Sequence, residues 1–463
     1  MRSLHGRPGP ALAAAVLVVA VAAGCGTGAP AGQRPSEGAT TSTEVNVYER
    51  DRAEGVTRLL DALTEAVSSG DVRSIGTLLD VSATPVFKDR FVTAAANLRA
   101  PTFPSRSGRD GPLRFGRFRY QLAPTEEAEV LVPPDLQQLL DAGGSSDSWV
   151  VPVELRYALG GQRAPGIAES EIVVGTQFVV ARHGDDWRLV ADAEALGGDP
   201  APTQMWEIPG LTAADVGTAG GTSVVAHYPD TSTTVAALRR LLPDAVDSVT
   251  AFWGEGWDRR AVVVPTATDE QFAALVPGGR AAIGTAAAAT VFNHLDRAQR
   301  SVTGQRIVLT RAARELAEPT LAVVLRHELT HVAARADTAV DAPLWITEGV
   351  AEYVGRKGTY TRLADAAPDL AEAVRAGAGP TAPPADADFA MDGQTSQVAY
   401  QSAWSLAAYV ADRFDEARLK KMYIGVAASA LPAAQDAAIT AALGVSRDQL
   451  LAGWQRWLAG QIR

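Results

Sequence analysis

The chain has 463 residues, 47% of them hydrophobic and 21% charged, with a formal net charge of −11. That length holds two or three domains with substantial cores. The acidic balance excludes nucleic acid and an anionic lipid surface as the main partner, and a single cysteine excludes intrachain disulfides and cysteine-based zinc sites.

In chain order, residues 1–25 read as a lipoprotein signal peptide. Arg2 and Arg7 form a basic start, and Ala11 to Ala23 is an apolar run of thirteen residues, too short for a typical membrane span. The run ends Val21-Ala22-Ala23-Gly24-Cys25, which resembles a bacterial lipobox and makes Cys25 the expected lipid attachment point. The expected location is the extracytoplasmic face of a bacterial cell membrane, with the membrane as partner through that lipid. Residues 26–44 are rich in Gly, Ala, Pro, Ser and Thr and are expected to be a flexible tether.

Residues 45–198 are expected to form an α+β domain. Val56, Leu59, Leu60, Leu63 and Val67 recur at helical spacing over Tyr48–Ser68, and shorter helices are expected over Val72–Leu79 and Val86–Leu98. Strands are expected over Leu113–Leu122, Glu127–Val132, Trp149–Tyr157, Glu171–Arg182 and Trp187–Ala191. The last two are joined by a turn at His183-Gly184-Asp185-Asp186, which makes His183 a surface residue rather than a base. Helices followed by antiparallel strands ending in this hairpin resemble the nuclear transport factor 2-like cone fold. That resemblance implies a module that holds a ligand or a partner protein. A spacer or interaction role is preferred, because no catalytic constellation stands in this region.

Gly197 to Thr203 is Gly- and Pro-rich and sets a linker at 199–204, after which 205–463 form the second domain. Its expected elements are a strand at Ser223–His227, a helix at Thr234–Trp253 interrupted by Pro243, a strand at Ala261–Val264, and a helix near Asp269–Leu275. A small-residue stretch through Thr290 and a β-branched run at Arg306–Thr310 follow. His227 and His294 are expected to be local structural residues. Helices are expected around Val398–Val410, Leu419–Ala427, Ala433–Leu443 and Arg447–Leu458, a helical end to the domain.

The chemistry concentrates at His327-Glu328-Leu329-Thr330-His331. Pro319-Thr320 starts a helix there, and Leu321 to Ala336 contains no Gly or Pro. Residues four apart share a helical face, so His327 and His331 aim two imidazoles at one point, with Glu328 beside them in reach of a water. Sixteen residues, 332–347, separate His331 from Glu348. Pro343 starts a second helix carrying Trp345-Ile346-Thr347-Glu348-Gly349. Two histidines and one carboxylate leave a fourth zinc position open, the pattern of a catalytic site.

HELTH followed by W-I-T-E-G-V-A-E-Y resembles the catalytic core of gluzincin zinc metallopeptidases of the aminopeptidase-N and thermolysin-like clan. The expected fold is therefore multidomain α+β, a cone-like domain followed by a thermolysin-like metallopeptidase domain that ends in a helical subdomain. The resemblance implies one Zn2+ per chain, held by His327, His331 and Glu348. Glu352 shares a helical face with Glu348; it is the competing ligand, preferred as a partner that orients one. Glu328 would be the general base, and Tyr400 a phenol aimed at the developing oxyanion. By the same resemblance Arg306–Thr310 would be a sheet edge that pairs with an extended peptide or protein substrate; the alternative is a central strand with nothing to bind. No G-x-M-E-N signature precedes the zinc helix, which separates the chain from typical aminopeptidases. The alternative expectation is a catalytically inactive peptidase-fold lipoprotein that serves as a binding module of the cell envelope.

Overall fold

The computed structural model describes residues 47–99, 110–124, 130–161, 166–199, 201–282, 286–390 and 393–462. The expected signal peptide and tether, Cys25 included, lie outside the described residues. The architecture is mixed α and β, with three sheets among the described residues.

The N-terminal unit contains α1 (Val47–Ser69), α2 (Val72–Leu78), α3 (Pro85–Leu98), β1 (Asp110–Gly111), β2 (Phe115–Leu122), α4 (Pro134–Ala142), β3 (Asp147–Leu159), β4 (Ile172–His183) and β5 (Asp186–Asp192). Helix α1 buries Val56, Leu59, Leu60, Leu63 and Val67 along one stripe. Asp71 caps α2, and Thr84 caps α3, which has a proline in its first turn. Strands β2 to β5 form an antiparallel meander against these helices. Phe87, Phe91, Tyr120 and Phe178 meet edge to face or tilted inside it. The gap that remains, bounded by Arg90, Tyr120 and Glu207, is about 10 Å³, room for a single water at most.

Two expectations for this unit need correction. Residues 130–132 of the strand expected over Glu127–Val132 are irregular, and Pro133-Pro134 starts α4 instead; residues 127–129 lie outside the described residues. His183 ends β4 paired with Asp186, and its Nε2 lies 2.7 Å from the buried Asp80 carboxylate. The hairpin turn is tight, with Gly184 at a φ of 64°. That geometry directs the imidazole inward.

The second region contains β6 (Thr212–Thr218), β7 (Gly221–His227), α5 (Ser232–Trp253), β8 (Val262–Pro265), α6 (Asp269–Leu275), β9 (Ala288–Val291), β10 (His294–Asp296), β11 (Ser301–Thr303), β12 (Arg306–Leu309), α7 (Glu318–Ala334) and α8 (Leu344–Arg356). Then come α9 (Leu363–Ala366), α10 (Pro368–Arg375), α11 (Asp386–Phe389), α12 (Gln394–Phe414), α13 (Glu416–Val426), α14 (Pro432–Leu443) and α15 (Arg447–Gln461). Helix α5 runs as one helix through Pro243, so the interruption expected there is not found. Among the described residues, strand β10 pairs only with β11, as a separate antiparallel hairpin.

The central sheet has the order β1-β6-β7-β8-β12-β9. Strands β7, β8 and β12 run parallel, and β9 lies antiparallel to β12 at the edge. The expectation that Arg306–Thr310 forms the edge is therefore overturned: β12 is interior, and Ala288–Val291 takes the edge. Side chains alternate between faces. Val225, Val263, Ile307 and Leu309 join the helices α5, α7, α8 and α12 in one core. Val224, Val262, Val264 and Val308 join the N-terminal unit in another. Burial on both faces explains the uninterrupted apolar runs of β8 and β12.

Packing continues across the expected linker. The Asn97 side chain of α3 donates to the carbonyls of Trp206 and Ile208 and accepts from the amides of Gly210 and Leu211. Strand β1 pairs with β6. The sheet that carries β9 and supports α7 is thus held from behind by the N-terminal unit.

Candidate metal centre

Helix α7 begins with Glu318-Pro319 and runs between the sheet and helices α5 and α8. Leu321, Val324, Leu325 and Leu329 face that core. His327, Glu328 and Thr330 are buried too, so the helix carries polar groups where solvent cannot satisfy them. Helix α8 starts after Pro343, and its Trp345, Ile346, Val350 and Val354 enter the same core. Burying that face brings Glu348 and Glu352 onto α7.

The contact is close because glycines allow it. A Cβ on Gly349 would stand 2.6 Å from the Ala403 carbonyl oxygen of α12. A Cβ on Gly355 would stand 3.0 Å from the Val323 carbonyl oxygen and 3.4 Å from His327 Cβ.

His327 Nε2 and His331 Nε2 lie 3.1 Å apart. Glu348 Oε2 is 3.3 Å from His327 Nε2, and Glu348 Oε1 is 3.6 Å from His331 Nε2. Atoms bound at about 2.05 Å to a tetrahedral zinc lie about 3.3 Å from one another. The three separations lie near that value, the last two being to different Glu348 oxygens. One ligand atom from each of His327, His331 and Glu348 falls within 4.8 Å of the others, a group that could hold a metal ion.

The donor chemistry agrees with the spacing. Both Glu348 oxygens are buried without a hydrogen-bond partner, an arrangement that is costly unless a cation satisfies it. Burial would raise the Glu348 carboxyl, but the imidazoles of His331 and His327 hold it down at about 2. Burial would likewise lower His327, but the carboxylates of Glu348 and Glu352 hold it up at about 10. The point between these groups therefore attracts positive charge.

Glu352 stands behind His327 rather than beside Glu348, with Oε1 3.3 Å from His327 Nδ1. The two atoms are near enough for an ion pair but lie outside hydrogen-bond alignment. Its other oxygen meets Arg356, one turn on, whose Nη1 donates to the Ala366 carbonyl. Burial would raise Glu352, and Arg356 and His327 outweigh it to lower the carboxyl. A carboxylate on the far ring nitrogen fixes the imidazole's orientation and leaves Nε2 for the metal position.

Glu328 lies on the sheet side of α7. Its Oε2 accepts a 2.7 Å hydrogen bond from Thr290 Oγ1 of edge strand β9, and its buried Oε1 has no partner. Burial raises its carboxyl above the usual range, against the pull of the two imidazoles. A carboxyl set up this way accepts a proton more readily than an exposed one.

A cleft of about 60 Å³ opens beside His331, lined by Thr290, Arg335, Thr338, Leu344 and Tyr423 among others. Tyr423 of α13 is buried, its hydroxyl 2.9 Å from Thr338 Oγ1, and burial pushes the phenol up to about 12. Tyr400 is not among the lining residues. It is buried in α12 with its ring edge-on to Phe389 at 5.0 Å. The structure thus brings His327, His331, Glu328, Glu348 and Glu352 together and places Tyr400 in the helical core. It adds Thr290, Arg335 and Tyr423, which sequence reasoning missed. Arg335 alone had a signal, four residues beyond His331 on the same helical face.

His227 and His294 stand apart from this group. His227 Nδ1 lies 3.4 Å from Thr212 Oγ1 between β7 and β6, and His294 is exposed on β10. No family model and no curated protein matches this sequence.

Proposed function

We propose that the chain is a zinc-dependent metallopeptidase of the gluzincin type, held at the outer face of a cell membrane by a lipid on Cys25. In this reading the region from 205 onward is the thermolysin-like catalytic unit, and the N-terminal unit is a filled cone that braces it. One observation carries the proposal: two imidazole nitrogens of α7 and a buried carboxylate of α8 that has no hydrogen-bond partner converge within 4.8 Å, with Glu328 of α7 beside them. Structural zinc sites are closed by four protein ligands; three ligands with an open side mark a catalytic one.

A zinc ion held by His327, His331 and Glu348 would polarise a scissile carbonyl and lower the pKa of water in the site. Glu328 receives a proton from the attacking water on Oε1 while Thr290 holds Oε2, then passes that proton to the departing amine. Tyr423 is the phenol on the cleft wall, protonated at neutral pH, and takes the oxyanion role expected of Tyr400. Strand β9 is the sheet edge next to Glu328. An extended peptide adding to that edge would lie across the cleft.

The test is the full chain with Glu328→Gln, assayed for zinc by elemental mass spectrometry and for cleavage with a quenched-fluorescence peptide library. About one zinc per chain should remain, and turnover should fall by about 10²–10⁴-fold. A variant that cleaves as fast as wild type would remove Glu328 from the reaction. A folded wild type that binds no supplied zinc would end the metallopeptidase reading.

A further inference from the structure

We propose that Arg335 binds a carboxylate of the substrate, so that the cleft selects peptides bearing a carboxylate close to the scissile bond. The inference rests on the peptidase reading for its ligand, while the residue's environment argues for an anion independently. Arg335 follows His331 by four residues, about 6 Å further along the helix axis. It lines the same cleft as His331, Thr290 and Tyr423.

The side chain is fixed in place. Nη2 donates to the carbonyls of Thr338 at 2.8 Å and Ala339 at 3.0 Å. The guanidinium lies over the Phe292 ring, 5.0 Å from its centroid. Two backbone contacts and one aromatic face orient the fork before any ligand arrives, which limits the entropy lost on binding.

The charge is uncompensated. Among the described residues no carboxylate reaches ion-pair distance of Arg335, and its Nε is buried without a hydrogen-bond partner. Asp337, two residues on, is taken by Arg300. Three other enclosed arginines have such partners: Arg90 meets Glu207, Arg306 meets Glu169, and Arg356 meets Glu352, while the half-buried Arg188 and Arg326 have none among the described residues. Arg335 differs from those two in lining the cleft beside His331. Its neighbouring charge is Arg297, which adds positive potential and supplies no partner.

The cleft has room for a carboxylate, about 60 Å³ being open to water-sized groups. One extended residue spans about 3.3–3.6 Å, so an anion bound one helical turn from His331 sits one or two residues from the bond being cut. Two kinds of carboxylate meet that condition: the C-terminal α-carboxylate of a short leaving fragment, or an aspartate or glutamate side chain next to the scissile bond.

Binding separates them without relying on turnover. The full chain carrying Glu328→Gln, loaded with zinc, is titrated calorimetrically with three probes: N-acetyl-trialanine as the free acid, the same peptide as its amide, and an amide with aspartate in the third position. At least one carboxylate probe should bind about 10–100-fold tighter than the neutral amide. The probe that gains names the source. Adding Arg335→Gln should erase the preference with zinc content unchanged, whereas Arg335→Lys, which keeps the charge but not the fork, should keep a smaller one. Equal affinity for all three probes overturns the proposal, as does a preference that survives in a folded Arg335→Gln chain. Should Arg335→Gln fail to fold, the acid and the amide are compared in the zinc-free parent chain, where no metal can hold the carboxylate and equal affinity overturns the proposal. A wild-type chain that cleaves none of these or the library peptides, yet keeps the Arg335-dependent preference, would refute catalysis and leave the carboxylate site standing.

Discussion

Replacing Gly349 by alanine tests whether the spacing of α8 from its neighbours sets the metal position. The new methyl would stand 2.6 Å from the Ala403 carbonyl oxygen, while ordinary contact begins at 3.4 Å. Helices α8 and α12 must then part by about 0.8 Å, and Glu348 is the adjacent residue. Metal sites tolerate ligand displacements of only about 0.2 Å. Glu348 would leave its place 3.3 Å from His327 Nε2 and 3.6 Å from His331 Nε2. Overpacking costs about 1–3 kcal/mol, offset by up to about 1 kcal/mol from the better helix propensity of alanine. The fold should survive with a melting point a few degrees lower, and zinc affinity should fall by about 10–100-fold. Competition with a chromogenic chelator measures the affinity, and a thermal melt of the zinc-free chain measures the fold. Gly116→Ala is the control, since its methyl collides with the Gly160 carbonyl oxygen in the N-terminal sheet. It should lower stability and leave zinc affinity alone. Full zinc affinity in a folded Gly349→Ala chain would refute the link between helix spacing and the site.

Three further outcomes follow from the same geometry. Glu352→Gln removes the charge behind His327 and should weaken zinc binding by about 10–100-fold with the fold intact, measured by the same competition. Thr290→Val keeps the shape of the β9 side chain but frees Glu328 Oε2; kcat/KM should fall about tenfold at constant zinc content, and an unchanged value would exclude Thr290 from orienting the base. Asp80 gives a pH dependence outside the metal centre. Burial would raise its carboxyl, but hydrogen bonds from Ser82 and His183 hold it below the ordinary 3.8. The ionised form therefore contributes stability that is present above pH 3.8 and lost as the pH falls through the lower folded-state value. Melting curves should show an acid loss that shrinks in Asp80→Asn; an identical loss in the variant would assign it to other groups.

The expected elements trace the parts of the fold that depend on local periodicity. Helix α1 lies where Val56, Leu59, Leu60, Leu63 and Val67 place it, and β8 and β12 lie on their β-branched runs. Strand β9 had no such signal. Ala288-Ala289 in an alanine run reads as weak strand or helix, and only pairing with β12 makes it a strand. Missing β9 moved the sheet edge to β12. Helix α4 was hidden for a related reason, since its Pro133-Pro134 start follows apolar residues that look extended in isolation.

The site divides along the same line. Within one helix, sequence spacing is geometry, so the positions of His327, Glu328, His331 and Arg335 on one another's turns could be read directly. Between helices it is not. That Glu348 and Glu352 share a face follows from their four-residue spacing, but which of them approaches the Nε2 pair depends on how Gly349 and Gly355 let α8 seat between α7 and α12. Tyrosine placement shows the same limit. Tyr400 and Tyr423 stand on successive helices, and each satisfies a pattern of a helical tyrosine after the metal motif. Only the packing of α13 beside Thr338 turns Tyr423 toward the cleft, while α12 carries Tyr400 against Phe389. A sequence motif can therefore nominate a metal and a base, whereas the groups that meet the substrate are decided by neighbouring helices and by the strand edge.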